Sequence, residues 1–102
     1  MLQLRPTCEN CNRALPPASL DACICSFECT FCRTCVDTVL GNVCPNCGGG
    51  FAPRPIRPAR AWLGSASLRA HPASGTVVHK PVDPHAHAQL RERIGALAPE
   101  AR

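Results

Sequence analysis

Large apolar residues are sparse along this chain, and they fall into regular spacings in only two places. Val36, Val39 and Leu40 share one helical face, and Gly41 follows them as a helix stop. Leu90, Ile94 and Leu97 recur at intervals of four and three, drawing one narrow apolar stripe. Asp83 precedes Pro84, a capping carboxylate ahead of a proline at the first helical position, and Pro99 closes the stretch. The pattern predicts a helix from Pro84 to about Leu97. A helix of that length is marginal alone, so it either docks or frays. Between Ala61 and Val82 no period is sustained, apart from a short extended piece at Thr76, Val77 and Val78.

Composition explains why the pattern is thin. The 102 residues include nine Cys, eleven Pro, one Trp and no Tyr, and much of the apolar content is Ala and Cys. Such a chain has too little bulk for an ordinary core and needs disulfides or a metal as staples. All nine Cys lie between Cys8 and Cys47, so the staples belong to the first half. Three segments follow: a Cys-rich domain over 1–51, a Pro/Arg-rich and mostly irregular linker over 52–82, and a C-terminal helix and tail over 83–102. Residues 52–60 carry three Pro and three Arg, which makes that stretch semi-rigid.

The compartment decides what the Cys do. The opening residues Met1 to Cys8 hold no apolar run resembling a signal-peptide core, and no segment approaches the roughly 20 apolar residues of a membrane span. The expectation is a cytoplasmic protein with no membrane association, whose reduced thiols serve as metal ligands. The odd Cys count agrees, since complete disulfide pairing would strand one sulfur.

The order is Cys8-x2-Cys11, Cys23-x-Cys25, Cys29-x2-Cys32-x2-Cys35 and Cys44-x2-Cys47. A Cys-x2-Cys turn delivers two thiolates to one tetrahedral zinc. Gly48 and Gly49 let backbone N–H groups turn toward sulfur after the last pair. Eight ligands make two four-cysteine sites, and one Cys is left over. In one register Cys23 and Cys25 both bind and Cys35 is spare; in the other Cys25 and Cys29 both bind and Cys23 is spare.

The run Cys29-Thr-Phe-Cys32-Arg-Thr-Cys35-Val36, followed by Cys44-Pro45-Asn46-Cys47, resembles the second half of a RING finger. That likeness favours the second register. It implies a RING-like or treble-clef two-zinc module with one short helix. Its cross-brace would place Cys8, Cys11, Cys32 and Cys35 on site one, and Cys25, Cys29, Cys44 and Cys47 on site two. The start Met1-Leu-Gln-Leu-Arg-Pro-Thr-Cys8-Glu, the Leu15-Pro16-Pro17 step, the Ile24-to-Cys32 stretch and the ending Cys44-Pro-Asn-Cys47-Gly-Gly are similar to a bacterial family, domain of unknown function 1272. That likeness spans roughly residues 1–58, again makes Cys23 the spare, and carries no activity. The Arg-, Ala- and Pro-rich style also suits a GC-rich bacterial genome.

A RING likeness raises the prospect of a ubiquitin ligase. The apolar groove that such ligases offer to a ubiquitin-conjugating enzyme would here be built on Glu9, Asn10, Val39 or Leu40, and Gly48, with only Pro45 kept. A charged residue cannot serve as the apolar anchor of that interface. No βαβ pattern surrounds any Cys pair, which excludes a thioredoxin-like redox site. A site closed by four cysteines lacks the open position that zinc catalysis needs. The chain therefore reads as no enzyme, with neither catalytic nor cofactor-binding residues beyond its metal ligands.

Charge sharpens the picture. Residues 1–50 carry formally −1 and residues 51–102 formally +5. Eight thiolates and two zinc ions would bring the first half to about −5. An anionic module tethered to a cationic tail attracts it within a Debye length of about 8–10 Å. Two outcomes follow: the Arg-Pro segment folds back with Trp62 as apolar anchor, or it stays a free linker with an exposed Trp. His71, His79, His85 and His87 read as solvated tail residues, and Cys23 as a small, partly buried thiol. The reading is a zinc-binding, non-catalytic adaptor of two structural ions with a protein partner. Nucleic-acid binding through the basic tail and knuckles is the alternative, and zinc storage or sensing a third.

Overall fold

The computed structural model describes residues 1–102. Strands β1 (Ala22–Ile24) and β2 (Thr30–Cys32) form an antiparallel hairpin in the register Cys23↔Phe31, and β3 (Ala52–Pro53) adds to the other side of β1. All three residues of β2 are buried, so the strand is packed on both faces. The chain passes directly from β2 into α1 (Arg33–Cys35), which widens into a π-helical stretch over Val36–Leu40. Gly41 ends it with φ 58°, and a Cβ there would collide with the Arg91 guanidinium. The expected helix and its stop are therefore both present. Val36 and Leu40 point into the core and Val39 packs against it.

The core is small. Only 19 of the 102 residues are buried, and seven of those are Cys; Cys11 and Cys47 are exposed. Leu15, Phe31, Val36 and Leu40 supply most of the carbon, and Phe51 meets Phe31 edge-on at 5.4 Å between ring centres. The radius of gyration is 14.6 Å, above the ~13 Å of a globule of this length, because the second half wraps the first as a ribbon.

Arginines fix that ribbon. Arg54 is buried, and its guanidinium donates to the carbonyls of Arg5 (2.9 Å), Leu15 (3.2 Å) and Pro16 (3.0 Å). Arg57 donates to His71 and Leu2 carbonyls at 2.6 and 2.7 Å. The segment folds back, but Trp62 is not its anchor: the ring is 75% exposed. Long-range attraction between opposite charges does not describe the contact either. The two ion pairs of the chain, Arg5–Glu9 and Arg13–Asp21, both lie within the first half. A guanidinium offers five donors, enough to satisfy several loop carbonyls that a single indole could not.

The second predicted helix forms as α2 (Pro84–Ile94), with the Asp83 carboxylate accepting from the His85 and Ala86 N–H groups. It ends before Leu97, at Gly95, and Pro99–Ala101 makes a separate 3₁₀ turn. Its buried face is shifted toward the N-terminus relative to the expected stripe. His87 is buried, Leu90 and Ile94 are half-buried, and Leu97 is exposed. Thr76–Val78 joins no strand ladder and Thr76 and Val77 are exposed, since the nearby sheet offers them no edge.

Arg54→Ala should lower the unfolding free energy by about 2–3 kcal/mol, because three carbonyls lose one charged donor. Trp62→Ala should stay within about 0.5 kcal/mol of the parent. Chemical denaturation of the two variants side by side checks this, and equal losses would contradict the arginine anchor.

Candidate metal centres

Two Cys-x2-Cys turns are built alike. In the first, the Asn12 N–H donates to the Cys8 carbonyl (2.9 Å) and the Cys8 N–H to the Arg13 carbonyl (2.9 Å). In the second, the Gly48 N–H donates to the Cys44 carbonyl (2.8 Å) and the Cys44 N–H to the Gly49 carbonyl (2.8 Å). Both turns need a left-handed residue directly after the second Cys, which is Asn12 at φ 63° and Gly48 at φ 78°. Gly is the usual solution and Asn the commonest substitute, so the spacing alone hides the equivalence of the two turns.

The resulting geometry brings the sulfurs of Cys8, Cys11, Cys32 and Cys35 within 4.8 Å of one another. Cys11 and Cys32 are 3.8 Å apart, sulfur to sulfur. A tetrahedron of thiolates about 2.3 Å from a central zinc has edges of about 3.8 Å, so this donor set fits that ion. Cys8 and Cys11 come from the first turn, and Cys32 and Cys35 from the step between β2 and α1. Cys32 also caps α1, accepting from the Cys35 N–H at 3.4 Å.

The second group interleaves with the first along the chain. The sulfurs of Cys25, Cys44 and Cys47 lie within 4.8 Å of one another. Each accepts a backbone N–H from two residues further on: Phe27 to Cys25, Asn46 to Cys44 and Gly49 to Cys47, all at 3.4 Å. These bonds favour the thiolate, and Gly49 does what its position after the last pair predicts. Cys29 is buried beside Cys25, whose N–H donates to its carbonyl at 3.2 Å, but its sulfur does not share the mutual spacing of the other three. Cys23 belongs to neither group; its thiol is buried within β1, 3.9 Å from the Asp21 carbonyl. The two clusters, Cys8/Cys11/Cys32/Cys35 and Cys25/Cys29/Cys44/Cys47, could each hold a metal ion.

Electrostatics make the charge of the sulfurs the central issue. Burial pushes the Cys35 thiol up to about 12, against a hydrogen bond from Asn10, and burial likewise raises Cys32 and Cys44. Burial raises Cys29 too, with Cys25 and Glu9 adding to it. For Cys11 burial is outweighed by hydrogen bonds from the Arg13 N–H and from Cys8, Cys32 and Cys35, and the thiol lies below its ordinary value. Cys23 is raised by burial, with Asp37 and Asp21 outweighing Arg33. A cation arriving at either cluster must therefore displace protons.

Residues outside the expected ligand set surround these clusters. Glu9 is buried: its carboxylate pairs with Arg5 at 2.7 Å and accepts the Thr30 N–H, and Asn46 reaches it at 3.5 Å. Asn10 donates from Nδ2 to Cys35 Sγ at 3.3 Å. Residues 79–83 lie over this loop as a strap. His79 donates to the Asn10 carbonyl (3.2 Å), Lys80 N–H to the Glu9 carbonyl (2.8 Å) and Val82 N–H to Asn10 Oδ1 (2.9 Å). From α2, His87 Nε2 donates to the Leu40 carbonyl at 3.0 Å and Arg91 to the Val39 carbonyl at 3.1 Å. His87 is thus a buried docking residue, and not a solvated one. Its spacing of three and seven from Leu90 and Ile94 was a usable signal.

Comparison with known proteins gives kinship without an activity. Residues 1–57 match the model of a family described as protein of unknown function (DUF1272). An uncharacterized protein of Rhizobium meliloti (strain 1021) is 56% identical over 81 residues, covering 79% of this chain and 89% of that one. No solved structure matches the chain.

Zinc uptake at pH 7 should release about two to four protons per ion, and affinity should rise with pH. Calorimetric titration in buffers of different ionisation enthalpy measures this; heats independent of the buffer would contradict protonated resting thiols.

Proposed function

We propose, for a chain that belongs to the DUF1272 family, that it is a zinc-stabilised, non-catalytic binding protein of the bacterial cytoplasm whose partner is another protein. The observation that carries the reading is the sulfur geometry of Cys8, Cys11, Cys32 and Cys35, with its 3.8 Å edge. Two ions, one per cluster, would cross-brace the chain in the manner of a RING finger, since the clusters alternate along the sequence. Cys29 then closes the second site by a small movement of its side chain toward Cys25, Cys44 and Cys47. Zinc bound by four thiolates supplies folding energy and leaves no position for substrate.

Ligase activity is not part of this proposal. Glu9, at the position where a RING interface needs an apolar anchor, is buried and engaged with Arg5, Thr30 and Asn46. The strap covers the adjoining Asn10. A second reading, nucleic-acid binding, draws support from the absence of any acidic residue between Thr38 and Val82, where Arg60 and Arg69 are exposed. Retention on nucleic acid that fades steeply with salt would favour it, and no retention at low salt would remove it.

Native mass measurement with metal analysis tests the main proposal. Two zinc ions per chain are expected, and their removal by chelator should unfold residues 1–51. One ion per chain would discard the cross-brace, and none would discard the zinc reading.

A further inference from the structure

The strap does more than lie against the module: its hydrogen bonds end on residues that themselves touch the sulfurs. Asn10 is the clearest case. One planar amide donates from Nδ2 to Cys35 Sγ (3.3 Å) and accepts at Oδ1 from the Val82 N–H (2.9 Å). Asn46 makes a related link at the other cluster. Its backbone N–H donates to Cys44 Sγ (3.4 Å), and its Oδ1 accepts from Lys80 Nζ (3.4 Å). Between them, Glu9 takes Asn46 on its carboxylate (3.5 Å) and the Lys80 N–H on its carbonyl (2.8 Å). Thus strap residues 79, 80 and 82 reach both clusters with Asn10 or Asn46 as the intervening residue.

We infer that Asn10 and Asn46 are positioning residues that couple docking of the C-terminal strap to metal occupancy of the two cysteine clusters. The inference rests on the zinc reading. The physical cause is acceptor strength. A metal-bound thiolate is a stronger, charge-bearing hydrogen-bond acceptor than a thiol, so metal fixes the Asn10 amide with Nδ2 toward Cys35. That orientation is the one that presents Oδ1 to Val82. Without metal the Cys35 sulfur holds the amide less firmly, and the strap loses a fixed acceptor. Binding coupling is reciprocal, so whatever factor the metal adds to strap docking, the strap adds to metal affinity.

The strap is suited to this. Residues 79–83 belong to no ladder or helix, and Val82 is its one side chain packed against the core. Behind it, Asp83 caps α2, so the strap and the helix move together. Release would uncover the space of about 330 Å³ between module and helix, floored by Phe31 and Pro45 and walled by Val82, Ala86 and Leu90. The chain would thereby report loss of metal as exposure of an apolar face.

The test uses the full chain loaded with zinc. Val82→Pro deletes the N–H that reaches Asn10 and changes no group that touches sulfur. Asn10→Asp keeps the acceptor for Val82 and removes the donor to Cys35. Hydrogen exchange over residues 79–91 reads strap docking, and transfer of zinc to a chromophoric chelator reads metal retention. Val82→Pro should deprotect the strap and speed zinc transfer by about tenfold. Asn10→Asp should deprotect the strap although no strap atom has changed. Zinc transfer at the parent rate from a Val82→Pro protein whose strap has opened would overturn the coupling. So would a strap that stays protected in both variants. In each of these cases the parent still carries two ions, whereas a parent that takes up no zinc overturns the zinc reading instead.

Discussion

Four sulfurs within 4.8 Å of one another, three of them on buried residues, cannot all be thiolates unless something positive sits among them. They can be thiols, as burial of Cys35 and Cys44 favours, or they can be ligands. The rest of the architecture depends on which, because the carbon core is too small to organise the chain alone. β1, β2 and α1 are each three residues long, below the length at which strands or helices persist unaided. Cluster cysteines stand at their ends: Cys25 follows β1, Cys32 joins β2 to α1, and Cys35 ends α1. Metal held at these clusters would take the place of a core.

A second economy appears in the way the tail is held. Guanidinium groups of Arg54, Arg57, Arg91 and Arg102 all donate to backbone carbonyls of loops. Loops leave such carbonyls without partners, and the molecule has many loops: 23 of its 39 backbone hydrogen bonds lie outside helices and strands. Arginine is then a packing residue as much as a charge. The basic character of residues 51–102 is partly used up inside the fold, which leaves less of it for an external anion than composition suggests.

Much of this was legible in the residues. Cys spacing announced the paired turns, Gly49 the N–H to sulfur geometry (the Gly48 N–H goes to the Cys44 carbonyl instead), Gly41 the end of the first helical stretch, and Asp83-Pro84 the start of α2. Other features were not, for identifiable reasons. Arg54 has no periodic neighbour to mark it, since a buried guanidinium satisfying three carbonyls depends on loops meeting in space. His87 shares a helix face with Leu90 and Ile94, but a polar ring on a narrow apolar stripe gives no composition signal of burial. Asn12 stands where Gly48 stands in the twin turn, but only the backbone angle reveals that. Cys29 follows Cys25 at a wider interval than the other pairs, and the structure sets its sulfur slightly apart.

The three-stranded sheet has a further consequence. On the β3 side, Pro53 has no N–H to offer, and Pro55 follows close behind. On the β2 side, the Thr30 N–H and carbonyl are both taken by Glu9, through its carboxylate and its own N–H. Neither border of the sheet can therefore accept another strand. The molecule is protected from edge-to-edge polymerisation, a hazard for any short sheet with exposed borders. It also cannot recruit a ligand by strand addition, so recognition has to run through side chains and loop surfaces.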